Sequence, residues 1–282
     1  MLGLARLPSG SGGGFTGPFD ALSEGFFAAI SPRRLLLDFN GVPMNLRIQP
    51  GATAADIPFN GDYTDVDSTA RAALLGSSDG CIVTSYNQTG LGNFTQGTAA
   101  NQPSVKTTSL YTINGKQAFK GTSGISGTQL ATPASVSHGI GTGDFLVSAI
   151  INRAADSPGP PVWGIGGASI QLCGESRGFP TTQVALYIGG GIRHFDTTLT
   201  PGVTYVVTWT REGGVCKCYI NGVLEATTHS YSTNITSDRL VLLGESASSG
   251  WGGPDCMLEC IMANTVANRA AIIAAQMEYA GL

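Results

Sequence analysis

Between Thr204 and Gly222 the chain reads Thr-Tyr-Val-Val-Thr-Trp-Thr-Arg, Glu-Gly-Gly, Val-Cys-Lys-Cys-Tyr-Ile and Asn-Gly, which is two β-prone runs each closed by a glycine turn. Asn-Gly supplies the positive φ of a tight type I′ turn, so the segment predicts two successive antiparallel hairpins. Comparable runs at 46–48, 80–86, 144–151, 184–188 and 239–244, separated by Gly, Asn and Pro, extend this rhythm along most of the chain and predict an antiparallel sandwich or barrel. Two exceptions stand at the ends. Leu22, Phe26, Phe27, Ala29 and Ile30 recur near helical spacing before Pro32, predicting one short N-terminal helix within 19–37. Ala270, Ile273, Ala274 and Met277 form one stripe, predicting a closing amphipathic helix over 267–279. The fold class expected is all-β.

Composition narrows the partners. Only 12% of the residues are charged, the formal charge is -4, and no basic cluster exceeds the pair Arg33-Arg34, so nucleic acid is not expected as a partner. No apolar run approaches the ~18 residues of a membrane helix, and no membrane partner is expected. The start, Met1 to Gly14, lacks the cationic and apolar regions of an export signal and dissolves into Ser-Gly-Ser-Gly-Gly-Gly. Residues 1–18 therefore read as a flexible Gly/Ser-rich arm and 19–282 as a single domain. The six cysteines lack the density of a stapled scaffold and are expected as buried thiols, with Cys216 and Cys218 on the same face of one strand. Cys256 and Cys260 have no second Cys or His pair at zinc-site spacing, so neither a metal nor another cofactor is expected.

The hairpin pair 205–225 resembles that of laminin G-like and concanavalin A-like jelly-roll modules. A longer stretch is more specific: Asp79-Gly-Cys-Ile-Val-Thr-Ser-Tyr-Asn-Gln-Thr-Gly-Leu-Gly-Asn-Phe-Thr-Gln96, then Ala99-Ala-Asn-Gln-Pro103 and Ile113-Asn-Gly-Lys-Gln-Ala-Phe119. With Leu242-Leu-Gly244 and Met257-Leu-Glu-Cys-Ile-Met262 before the closing helix, it resembles the catalytic-domain module of the α-L-arabinofuranosidase B family over roughly residues 27–280. The same module recurs in bacteriophage virion proteins. The resemblance implies a concanavalin A-like jelly-roll sandwich.

It also implies where a retaining glycosidase would carry its two carboxyl groups, which such chemistry needs about 5–5.5 Å apart. The loop where the family has its acid reads Glu245-Ser-Ala-Ser-Ser-Gly-Trp251, without an Asp before Asp255. The stretch comparable to the nucleophile reads Pro160-Pro-Val-Trp-Gly-Ile-Gly-Gly-Ala168, without a carboxylate or the family's paired cysteines, and Glu175 follows several residues late. The expectation drawn is a non-enzymatic virion protein of a tailed phage with no catalytic residue. It would be assembled in the host cytoplasm, dock onto capsid or tail subunits through its arm, and form a homo-oligomer, with a trimer as the guess. The alternative is a glycan-active protein, either an arabinofuranosidase-like hydrolase using Glu175 and Glu245 or a lectin.

For glycan adhesion, including to a host-surface glycan, the candidate residues are Trp251, Tyr187, Arg193, His194 and Asp196. An indole flanked by glycines suits a ligand contact, aromatic faces stack on sugars, and Arg and Asp hydrogen-bond hydroxyls. The same hairpin read as a solvated sheet edge is the plainer alternative. His138, His194 and His229 are scattered without a nucleophile motif, so no triad is expected.

Overall fold

A computed structural model describes residues 16–22, 24–121, 128–134, 136–153, 161–166, 170–175, 183–236, 239–244 and 255–282. Strands dominate, as expected. Those that build the fold are β1 (Phe26–Ile30), β2 (Met44–Gln49), β3 (Asp79–Ser85), β4 (Leu130–Ala131), β5 (Phe145–Asn152), β6 (Pro161–Gly166), β7 (Ile170–Glu175), β8 (Ala185–Ile188), β9 (Gly191–His194), β10 (Thr204–Glu212), β11 (Val215–Ile220), β12 (Leu240–Leu242) and β13 (Cys256–Ala263). Two helices accompany them, α1 (Ser68–Leu75) and α2 (Arg269–Ala280).

All pairings are antiparallel. One sheet runs β1-β13-β5-β10-β11. The other runs β9-β8-β7-β6-β12-β4, then through the short strand Phe94–Thr95 to β3 and β2. Ser104–Lys106 and Phe119–Lys120 join β3 to β13, closing the sandwich along one side. The two hairpins expected around 204–222 are present, and their turns carry the positive φ of Gly213 (58°), Gly214 (80°), Asn221 (49°) and Gly222 (81°).

Alternation along the strands assigns each residue a face. Phe145, Val147, Ala149 and Ile151 of β5 enter the inter-sheet core, where Trp163 of β6 and Trp209 of β10 meet edge-on at 5.9 Å. Cys216 and Cys218 point into the same core, and all six thiols are free, five of them buried and Cys256 half-buried. The opposite face of the first sheet is covered by α2 through Ile272, Ile273, Gln276, Tyr279 and Ala280. The closing helix is thus present, with its buried stripe centred on Ile272, Gln276 and Tyr279. At this interface Ser148 is hydrogen-bonded to Thr208 (2.7 Å) and to Gln276.

The N-terminal helix expected within 19–37 is not formed. That segment holds a single 3-10 turn, Asp20–Leu22, followed by β1. All five residues of β1 are buried, with Phe27, Ala28 and Ile30 in the inter-sheet core and Phe26 and Ala29 in the cluster beneath α2. A strand covered on both faces is apolar throughout, so its periodicity does not distinguish it from a helix. No described helix is long and apolar enough to cross a membrane.

Candidate active site

One end of the sandwich collects the chain's crossings between sheets. β5 leaves it at Asn152 and β6 enters at Pro161; β7 ends there at Glu175, β9 at His194 and β12 at Leu242, and β10 and β13 begin there. Four polar side chains are buried at this end. Glu175 is 5% exposed, Arg153 3%, Asp255 1% and Gln129 7%. Charged side chains are seldom buried to this degree unless a structural or chemical partner holds them.

The register fixes their directions. On β7, Leu172 faces the core and Gly174 lies against Trp163, so Cys173 and Glu175 face away from the other sheet. Cys173 pairs with Tyr187 and Glu175 with Ala185, and Ala185 in turn pairs with His194. The outer face is therefore a floor of small residues, Gly164, Cys173, Ala185 and Val241, with Glu175 at its loop-bearing end. Ala185 lies between Glu175 and His194 in one cross-strand row, and two strand spacings place them about 10 Å apart. Burial, and then the neighbouring His229, lower the pKa of His194, which favours its neutral ring.

Arg153 follows β5 of the other sheet. Continuing the core-facing parity of Ile151, it donates from Nη1 to the Leu199 carbonyl (2.7 Å), while its backbone pairs with Val203 and Gly202. Gln129 precedes β4, whose Leu130 is in the core, so the Gln129 side chain shares the outer face. Its Oε1 sits above Gly244, where a Cβ would come within 2.2 Å of it.

Among the residues expected from sequence, Tyr187 and His194 share the floor face and Tyr187 is half-buried. Arg193 pairs with Leu186 and takes the opposite face, exposed at the sheet edge. Asp196 lies beyond β9 and accepts from the Thr227 amide (2.8 Å) and hydroxyl (2.5 Å), bonds that hold its carboxyl below the usual range and tie it to the neighbouring loop. The four hairpin residues therefore do not converge on one surface. Trp251 and Glu245 lie outside the described residues. Arg153, Asp255 and Gln129 were not anticipated. Arg153 was legible as the residue that continues the inward parity of an eight-residue apolar strand.

A separate hollow of about 490 Å³ is lined by Arg47, Gln49, Pro50, Gly51, Asp79, Ala99 and Ala100. There the Arg47 guanidinium donates to Gln102, Gly51 and Ala99.

No protein-family model matches the chain, and no curated protein sequence matches it. Solved structures do. An arabinofuranosidase complexed with arabinofuranosyl-α-1,2-xylobiose superposes with a TM-score of 0.69 at 16% identity, covering 94% of this chain and 65% of that one. A GH54 α-L-arabinofuranosidase soaked with a cyclic sulfate inhibitor gives 0.68 at 15% identity over 92% and 64%. Trypanosoma rangeli sialidase in complex with sialic acid gives 0.52 at 11% identity over 70% and 32%. This chain thus spans just under two thirds of the arabinofuranosidases' length, and the shared feature is the sandwich. The likeness bears out the jelly-roll fold and its resemblance to the arabinofuranosidase module.

It also corrects the expected function. A non-enzymatic virion protein is not what these structures support: the three compared are arabinofuranosidases and a sialidase, which favours the glycan-active alternative. The expectation of no catalytic residue rested on carboxylates displaced in sequence. In the fold, Glu175 occupies a strand end on the floor of the loop-bearing end.

Proposed function

We propose that this chain is a glycan-active protein of the arabinofuranosidase-like sandwich type, with its site at the loop-bearing end and Glu175 as a reacting carboxylate. The observation that carries this reading is the placement of a buried Glu175 at the end of β7, in a sandwich shared with arabinofuranosidases over more than nine tenths of the chain. A retaining mechanism needs a second carboxyl group about 5–5.5 Å away, and Asp255 and Glu245 are the candidates nearest in the chain to this end. His194, on the same face and with its neutral form favoured by burial, is placed to hydrogen-bond a sugar hydroxyl or exchange a proton with it.

The test is hydrolysis of 4-nitrophenyl α-L-arabinofuranoside by the wild type and by Glu175→Gln. The reading expects wild-type turnover and a loss of at least about 10³-fold in kcat in the variant, because a neutral amide cannot serve as nucleophile or base. Wild-type binding to arabinoxylan without turnover would move the protein to the lectin branch. Unchanged turnover in Glu175→Gln would remove Glu175 from the chemistry.

A further inference from the structure

β9 is an outer strand of the second sheet, and His229–Ser230, paired with β11, is an outer strand of the first. Strands close the sandwich on its other side, whereas here side chains make the join. Glu225, 7% exposed, accepts from the Asp196 amide (2.8 Å), the Thr197 amide (2.6 Å) and the Thr197 hydroxyl (2.7 Å). Asp196 reaches back to the Thr227 amide and hydroxyl. His229 donates from Nε2 to the His194 carbonyl (2.8 Å), and its ring meets the buried Phe195 edge-on at 5.3 Å. An outer strand leaves backbone groups that need partners, and those of residues 194, 196 and 197 find them in residues 225–229. Burying a carboxylate is unfavourable unless its oxygens are filled, and charge-assisted bonds to successive amides are strong. All three donors to the Glu225 side chain come from the two residues that lie just past Phe195 at the end of β9.

We infer that Glu225 is a positioning residue, which clamps the end of β9 from the edge of the first sheet and so fixes where His194 stands in the candidate site. The role of His194 rests on the glycan-active reading above; the clamp itself does not. On the inner side of the hairpin, β9 is held by β8 and by Val184, which pairs with Phe195 and Thr197. On the outer side the bonds to Glu225, Thr227 and His229 hold it. Every clamp bond falls within three residues of His194, whose ring lies on the Glu175 side of the sheet. A shift of about 1 Å in a group that holds or protonates a substrate can cost about 10²-fold in rate, so a carboxylate that never touches the sugar still governs the site.

The experiment uses the full chain as wild type, Glu225→Leu and Glu225→Gln. The imidazole resonances of the three histidines are titrated by NMR without ligand, and kcat is measured on 4-nitrophenyl α-L-arabinofuranoside. Leu offers no acceptor. Gln carries no charge either, but its oxygen can take both amides while its NH₂ donates to the Thr197 hydroxyl, so the contrast between the two isolates the clamp from the charge. Glu175, Asp196 and His229, the titratable groups around His194 on its row and in the clamp, are kept in every variant. Burial and the nearness of His229 hold the His194 pKa down, so loosening the clamp raises it. The inference expects a rise of about 0.5 unit or more in Glu225→Leu, with His138, bonded to the Ile140 amide, unmoved. It also expects a loss of about tenfold or more in kcat, and Glu225→Gln restores most of both. Should Glu225→Leu not fold, Thr227→Val, which removes one donor to Asp196 and no charge, gives a smaller shift of the same sign. An unmoved His194 titration, equal shifts in the Leu and Gln variants, or a shift that leaves kcat intact overturns the inference. A wild type without turnover defeats the hydrolase reading alone, and the His194 titration still decides on the clamp.

Discussion

Gly174 is the position behind the site where the fold has the least room. A Cβ there would lie 2.1 Å from Trp163 Nε1, 2.5 Å from its Cε2 and 2.9 Å from its Cδ1. The residue sits in β7 between β6 and β8, and the Trp163 ring is held in turn by Phe145 and Trp209 at centroid distances of 6.3 and 5.9 Å. Neither the strand nor the indole can move freely, so Gly174→Ala should cost about 2–3 kcal/mol, the upper part of the range for overpacked cores. In a domain of this size that corresponds to a fall of roughly 4–12 °C in melting temperature, at about 2–4 °C per kcal/mol. Trp163→Phe alone should cost about 1–2 kcal/mol through the cavity it leaves. Because it removes the pyrrole atoms that meet the new methyl, the double variant should be more stable than the sum of the singles by at least about 1 kcal/mol. Urea unfolding of all four proteins measures this coupling. Additive losses, or a Gly174→Ala cost below about 0.5 kcal/mol, would refute the close approach of Trp163 to β7 and with it the placement of Glu175 one residue further on.

Two further predictions concern the frame around the site. Glu259, fully buried on the α2 side of β13, accepts from Ser31 Oγ (2.8 Å) and from Arg33 Nε (2.9 Å) and Nη2 (3.1 Å), while the Arg33 guanidinium lies 3.9 Å from the Tyr279 ring centroid. Removing one partner strands the other charge in the interior, so Arg33→Met should cost about 3–5 kcal/mol, and Arg33→Met/Glu259→Met should recover most of that loss in chemical denaturation. Burial, and then the Asp56 carboxylate that accepts from its hydroxyl at 2.8 Å, push the Tyr86 pKa up to about 12. Its neutral form is thus favoured by folding: the contribution is complete below the ordinary value near 10 and is lost as pH rises from there through about 12. Difference absorbance between wild type and Tyr86→Phe should therefore show one phenol titrating near 12, and titration near 10 would contradict the Asp56 contact.

What the sequence made legible follows from how each signal arises. Strands with one polar face and glycine turns, such as β10 and β11, announce themselves through alternation and positive-φ residues. β1 does not, since a five-residue run buried on both faces carries neither period. α1 was available from Asp67, whose carboxylate caps the Thr69 and Ala70 amides at 2.8 and 2.9 Å, and from the closing Gly76, but eight residues make a weak periodic pattern. At the site, Glu175 could be named from its residue type, although its place beside Ala185 and His194 depends on cross-strand register. The same register separates Arg193 from Tyr187, neighbours in the sequence hairpin that take opposite faces. Gln129 follows the run Gly-Thr-Ser-Gly-Ile-Ser-Gly-Thr, where nothing local marks it; its burial comes with the Gly244 backbone brought against it by β12.

The central claim is that a glycan binds at the loop-bearing end. The most direct measurement is a crystal structure of the Glu175→Gln protein with arabinofuranosyl-xylobiose. The account predicts density for the sugar at the loop-bearing end, with one unit within hydrogen-bond distance of residue 175. Sugar bound elsewhere on the sandwich, or none at saturating concentration in a lattice that leaves this end open, would contradict it.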